Sequence, residues 1–182
     1  MEGIIKQLIQ KQEVVDVDTY NGDDTLVGIL VTQSGDFVLL QRVAEEGLYD
    51  GGTIIELSNV FRVRAETNAL KNQMQVLADQ KLPSMPRIDF ACWRGILQSL
   101  KESDNVVSIH CENVDSSMCW VGQVAAIIDD VVELRSFGTY DYPEIHRTYL
   151  NIDDITRIDL DRRYELGIYT FVMEALGEKK AR

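Results

Sequence analysis

The stretch VGILVTQSGDFVLLQRV (Val27 to Val43) is written a second time, loosely, as VGQVAAIIDDVVELRSF (Val121 to Phe137). Both copies open on Val-Gly, and both place a leucine at the same later position, Leu40 and Leu134. Upstream, Gly3 to Val15 resembles Gly95 to Val107 at an offset of 92 residues; the offset is 94 at Gly28 and Gly122. Downstream, Ser58 to Val63 pairs with Asp153 to Ile158 at an offset of 95. Small offset changes in hydrophilic stretches are what loop insertions produce. A repeat of this length constrains the fold more than any local signal, because each copy must be one structural unit. The joint is predicted near KLPSMP (Lys81 to Pro86), where two prolines oppose helix. The organisation expected is a first unit over residues 1–80, a linker over 81–86 and a second unit over 87–182.

Each copy begins with an amphipathic pattern: Ile4, Ile5, Leu8 and Ile9 share one helical face, as do Trp93, Ile96, Leu97 and Leu100. Five short β-rich runs follow. In the first copy they are EVVDVDTY, TLVGILVT, DFVLLQRV, GTIIEL and VFRVR, with Asn21-Gly22 as a hairpin signal between the first two. The second copy gives NVVSIHCE, MCWVGQVAA, VVELRSF, RTYLNI and ITRID. Gly28 and Gly122 interrupt apolar strands at matched places, which suits a sharp bend or a close backbone approach. Each copy then ends in a further helix. So small a sheet hides its edges best by closing. The fold class expected is therefore mainly β with helices (α+β): two tandem SH3-like five-stranded barrels, each with an N-terminal and a C-terminal helix.

A strand, Asn-Gly, a strand containing Gly28, then Phe37-Val38-Leu39-Leu40 and Asn59-Val60-Phe61-Arg62-Val63 resembles the Sm-like family, the LSm and Hfq proteins. The similarity covers about 60 residues of each copy. It implies a small barrel, assembly into a ring and RNA held around a pore. Carried over residue by residue, however, the RNA-contacting positions are altered. The acidic residue of the first motif matches Asp129 but falls on Gly35 in the first copy. The base-contacting asparagine falls on Leu39 and Glu133, and the Arg-Gly pair falls on Glu56-Leu57 and Asn151-Ile152, while Asn59 keeps the turn. A carboxylate beside a phosphate opposes binding.

Charge argues the same way. The chain carries 18 basic and 30 acidic residues among its 182, for a formal net charge of −12. Before Pro86 there are 7 basic and 13 acidic residues, and after it 11 and 17, so each half carries −6. Such a field repels nucleic acid and anionic membrane. No apolar run reaches the roughly 20 residues of a membrane span, and three cysteines do not make a secreted disulfide framework. The expectation is a cytoplasmic protein with no DNA or membrane partner.

Chemical motifs are sparse. Cys111 and Cys119, with His110 nearby, raise a disulfide or a partial metal site. His110 and Cys111 point to opposite faces of a strand, however, and no further ligand pair completes the set, so small apolar thiols are the better reading. His146, Arg147, Arg157, Arg162 and Arg163 are interleaved with Asp153, Asp154, Asp159 and Asp161, which predicts solvated ion pairs. The acidic pairs Asp23-Asp24, Glu45-Glu46, Asp129-Asp130 and Asp153-Asp154 fit turns and not an EF-hand. No phosphate-binding loop, dinucleotide fingerprint or nucleophile elbow occurs. No enzyme activity, cofactor or metal is expected.

The last helix stands apart. Ile168, Tyr169, Phe171, Val172 and Met173 spread apolar surface around much of its circumference, which predicts an interface with the other unit or with a second chain. A homodimer is the first expectation, two-fold pairing being the commonest oligomer. The function expected is a non-enzymatic protein-interaction or scaffold module, with an RNA-binding or RNA-regulatory Sm-like protein as the alternative.

Overall fold

The computed structural model describes residues 1–20, 22 and 24–177. Helix α1 (Glu2–Lys11) precedes strands β1 (Val14–Thr19), β2 (Leu26–Ser34), β3 (Phe37–Val43), β4 (Tyr49–Glu56) and β5 (Val60–Arg64), and α2 (Asn68–Ala78) follows them. The second half repeats the order with α3 (Trp93–Glu102), β6 (Val107–His110), β7 (Cys119–Ile128), β8 (Val131–Phe137), β9 (Ile145–Asn151), β10 (Arg157–Leu160) and α4 (Arg163–Leu176). A single turn of 3₁₀ helix, Leu57–Asn59 and Ile152–Asp154, links the last two strands in each half. The Asn21-Gly22 turn falls partly outside the described residues.

The strands do not close into two barrels. They form one open antiparallel sheet in the order β5-β1-β2-β3-β4-β10-β6-β7-β8-β9. Within each half the last strand lies beside the first, giving β5-β1-β2-β3-β4 and β10-β6-β7-β8-β9. The expectation of closure rested on a sound premise, that exposed edges are a liability. It failed because the two halves cover two edges for each other. Strand β4 pairs with β10, matching Ile55 with Arg157, Ile54 with Ile158, Thr53 with Asp159 and Gly52 with Leu160. A β4 edge spent on β10 is no longer open to close its own half.

The bend positions are matched in detail. Gly28 lies opposite Arg42 and Gly122 opposite Ser136, and each strand slips register two residues later, at Leu30/Thr32 and Val124/Ala126. A Cβ at residue 28 would overlap the Gln41 carbonyl, and one at 122 would crowd the Arg135 carbonyl. Close backbone approach therefore requires glycine at both places.

Apolar residues on opposite faces of the strands meet different helices. Val15, Val17 and Leu40 pack with Ile5 and Leu8 of α1, whereas Val14, Ile29 and Val43 pack with Leu70 and Leu77 of α2. The largest core crosses the joint, joining Phe37, Leu39 and Ile54 to Trp93, Ile96 and Leu97 of α3 and to Ile158. Residues 81–89 carry no regular secondary structure. Within them the Pro83 carbonyl accepts a hydrogen bond from Gln41 at 3.3 Å, and Met85 packs against the shared core.

Candidate functional site

Where β4 meets β10 the sheet buries charge. Asp159 is wholly buried and accepts from the Thr53 hydroxyl at 2.6 Å. Its other oxygen lies 3.0 Å from Arg162 Nη1 and 3.3 Å from His110 Nε2. Register explains the gathering. Arg157 and Asp159 are two residues apart on β10 and so share a face. His110 sits opposite Arg157, and Ser108 opposite Asp159, on the neighbouring β6. Arg157, itself buried, reaches Glu112 Oε1 at 3.1 Å and His110 Nδ1 at 3.0 Å. Burial alone would keep the Asp159 carboxyl protonated. The His110 hydrogen bond and the charges of Arg157, His110 and Arg42 overcome it and hold the group far below the usual carboxylate range.

The network reaches the first helix turn of α4. Asp50 on β4 accepts from Arg162 Nε at 3.2 Å and from the Arg163 backbone N–H at 3.0 Å. A carboxylate from one half thus caps the last helix of the other, where the helix dipole favours negative charge. Glu165, in the same first turn, is buried and accepts from Ser108 Oγ at 2.7 Å, and burial pushes its carboxyl up.

A cleft of about 490 Å³ opens onto this network. Arg42, Arg157 and Arg162 line it together with Asp24, Glu45 and Asp50. Arg157 and Arg162 each have carboxylate partners. Arg42 does not: it is only 8% exposed and is ion-paired to no carboxylate among the described residues. Its one side-chain hydrogen bond among the described residues, Nη1 to Thr53 Oγ1, is long at 3.4 Å, and its buried Nε has no acceptor among them. Burial pulls its pKa down to about 10 against the opposing charge of Asp159, with Arg162 and Arg157 adding repulsion and Asp50 a further opposing charge.

The residues singled out from sequence do not assemble into one site. Leu39 is buried in the shared core. Glu56 accepts from Trp93 Nε1 at 2.9 Å, and the Asn59 carbonyl accepts from the Tyr20 amide. Asp129 sits in the β7–β8 turn, where its carbonyl accepts from Arg94. Glu133 is ion-paired with Arg147 at 3.4 Å, and Asn151 donates to Asp154 at 3.2 Å. The α4 residues Ile168, Tyr169, Val172 and Met173 are buried against Val106, Val121 and Phe137 of their own half, with the Phe171 ring tilted against Tyr140 at 5.0 Å between centroids. The chain itself thereby supplies the surfaces that the apolar circumference requires.

Cys119 lies across from His110, not from Cys111. All three cysteines are free, and burial pushes the Cys111 thiol up to about 11. Among the described residues no group of three or more His, Cys, Asp or Glu side chains is placed to hold a metal ion, and no helix is long and apolar enough to cross a membrane. Of the interleaved charges near the C-terminus, Arg157 and Arg162 meet Asp159 in the interior, whereas His146 lies against Glu144, Arg147 against Glu133, and Arg163 against Glu46 and Asp50. Arg42 and Asp50 had escaped notice from sequence. The available signal was an arginine inside the otherwise uncharged strand FVLLQRV and an aspartate beside the Gly51-Gly52 pair of β4.

Neither a protein-family model, a curated protein nor a solved structure matches this chain.

Proposed function

We propose that the chain is a non-enzymatic protein-interaction module that works by strand addition at the ends of its sheet, with a homodimer as its first assembly. One observation carries this reading. Strands β5 and β9 end the sheet with one side unpaired, while β4 and β10, at the matched places in the other halves, are paired with each other. Applying the 95-residue offset to that joint puts Leu150 of one copy opposite Arg62 of another, Tyr149 opposite Val63, Thr148 opposite Arg64 and Arg147 opposite Ala65. Two such contacts in a dimer would leave no edge free, which is the state an open sheet favours. The Sm-like resemblance, which implies assembly through repeated copies, is likewise proposed. Its RNA-binding alternative has no observation in its favour, since Leu39 is buried and Glu56 and Glu133 are engaged.

Light scattering over a concentration series tests the reading. A mass approaching that of a dimer is expected, and Tyr149→Lys, which sets an exposed charge on the β9 edge, should weaken association at least tenfold with unchanged circular dichroism. A chain that stays monomeric at the highest concentration reached would sink the dimer. Nucleic acid retained through purification, seen in the ultraviolet absorbance ratio, would favour the RNA alternative.

A further inference from the structure

We propose that helix α1 of one copy seats on the uncovered face of β9 in a second copy, with Ile4 against Tyr149 as its anchor. This contact rests on the edge-pairing reading and adds to it a helix-on-sheet seat that strand pairing alone does not require. The internal joint is the template. There α3 of the second half lies against the first half: Trp93 meets Phe37 edge-on at 4.8 Å and donates to Glu56, and Ile96 shares a core with Leu39 and Ile54. The repeat carries both sides of that contact to the ends of the sheet. Ile4 of α1 matches Ile96 at the 92-residue offset, and Tyr149 of β9 matches Ile54 at the 95-residue offset. The inner sides of the two helices agree, since Ile5 and Leu8 correspond to Leu97 and Leu100 and all four are buried. The sides turned towards the joint do not. Ile96 and Ile54 have no exposed surface, whereas Ile4 is 53% exposed and Tyr149 55%. Leu39 has Glu133 as its counterpart, paired with Arg147 at 3.4 Å, so Tyr149 is the large apolar group that this face exposes.

A second pair of surfaces matches in the same way. At the joint, Glu112 and Thr156 are buried, and the Thr156 hydroxyl donates to Glu112 at 3.1 Å. The β1–β2 turn lies over them: a Cβ on Gly22 would stand 3.1 Å from Glu112 Oε1. Their counterparts at the free β5 edge are Tyr20 and Phe61, both exposed, with ring centroids 5.5 Å apart. The residue matched to Gly22 is Val114, exposed in the β6–β7 turn. A polar pair beneath a glycine at the joint thus becomes an aromatic pair facing a valine between copies. The register carried over from the joint brings Ile4 to Tyr149 and Val114 to the Tyr20–Phe61 pair at once. That agreement selects a second copy as the occupant. A foreign strand would pair with the edge backbone equally well, but it would bring no helix to Tyr149 and no apolar turn to Phe61. Covering these groups removes from water the apolar surface that the ends of the sheet expose.

The test is sedimentation equilibrium of the full chain carrying Ile4→Asp, alone and mixed with Tyr149→Lys. Because Ile4 is exposed, the variant should keep the circular dichroism of the parent, while its association weakens about tenfold or more. Head-to-tail contacts also predict complementation. A dimer of one Ile4→Asp chain and one Tyr149→Lys chain holds one unaltered Ile4–Tyr149 contact and one Asp–Lys contact. The mixture should therefore associate more tightly than either variant alone. Val114→Asp should weaken association too, and Leu176→Asp, exposed on α4 with no counterpart in the shared core, should leave it unchanged. The helix seat is overturned, with edge pairing left standing, if Tyr149→Lys weakens association while Ile4→Asp does not. It is likewise overturned if the mixture is no tighter than its components, if Val114→Asp associates as the parent does, or if Leu176→Asp is as damaging as Ile4→Asp. A parent chain that stays monomeric overturns the edge pairing and the seat together.

Discussion

The β4–β10 joint and the free β5 edge are built on the same frame with opposite chemistry. At the joint, Thr53 faces Asp159, which is wholly buried and surrounded by cationic groups. The residue matched to Asp159 on β5 is Arg64, whose side chain is 54% exposed and ion-paired with Asp16 at the solvent boundary. Across the sheet, Arg42 in the first half corresponds to Ser136 in the second. Register, bulge and glycine positions agree between the halves, whereas charge placement does not. Backbone geometry therefore allows strand pairing at either place, and side-chain charge distinguishes the joint from the ends. Buried ion pairs are poor sources of net stability, but a wrong alignment leaves each of their charges uncompensated. The joint network accordingly acts as a register lock.

The sharpest way to break this comparison is to remove the central carboxylate. Asp159→Ala takes from Arg157, Arg162 and His110 the buried carboxylate they share and should cost about 3–5 kcal/mol in urea unfolding. Arg64→Ala, at the matched place on the free edge, should cost about 1 kcal/mol or less. Equal losses would show that the two edges do not differ as described. The acid limb carries a second signature. The folded Asp159 pKa is depressed, so its contribution is present above the unfolded value of about 3.9 and is lost as pH falls through the folded value. Parent and Asp159→Ala should therefore converge in stability in strong acid.

A smaller change probes the joint through its apolar side. Trp93 of α3 packs edge-on against Phe37 at 4.8 Å between ring centroids and donates to Glu56 at 2.9 Å, so it ties the second half to the first. Trp93→Phe keeps most of the ring contact but deletes the donor and shortens the side chain. A loss of about 1–2 kcal/mol is expected. It should be cooperative, moving the whole unfolding transition and not splitting it, because the core is shared. Two separated transitions would mean that the halves unfold independently.

Local structure was legible in the sequence because local rules govern it. Alternation placed β8 at Val131–Phe137, and the helical apolar stripe placed α3 beginning at Trp93. Matched glycines marked the close approaches at Gly28 and Gly122. What escaped was the partner of β4. A strand edge presents backbone N–H and C=O groups whatever its side chains, so sequence alone does not say which edge it will meet. The charges of Asp159 and Arg157 read as solvent-facing because isolated charges on short strands usually are. The burial that changes their meaning arises only when β10 lies against β4. Arg42 was hidden for the same reason: DFVLLQRV reads as a strand whether or not its arginine is covered.

The smallest expected effect concerns the first turn of each final helix, where the halves again diverge. Leu70 and Glu165 both stand three residues after their N-caps, Thr67 and Arg162, and both are buried. Leu70 meets Val14, Ile29 and Val43, as an apolar residue should. Glu165 instead uses one oxygen to accept from Ser108, while its other oxygen is buried without a partner. Burial raises its pKa against the opposing Ser108 hydrogen bond and the Arg162 charge. A raised carboxyl pKa favours folding most when the group is protonated, below its unfolded value of about 4.3, and that advantage is lost as pH rises through the folded value. At neutral pH the chain bears the cost of a desolvated carboxylate. Glu165→Gln keeps the oxygen that accepts from Ser108 and replaces the charge with a neutral amide. It should raise stability by about 1 kcal/mol at neutral pH, and the gain should vanish below about pH 4, where Glu165 is already neutral in both states. Thermal unfolding of parent and variant across this range is the measurement. A variant less stable than the parent at neutral pH would mean that the Glu165 charge is an integral part of the joint network.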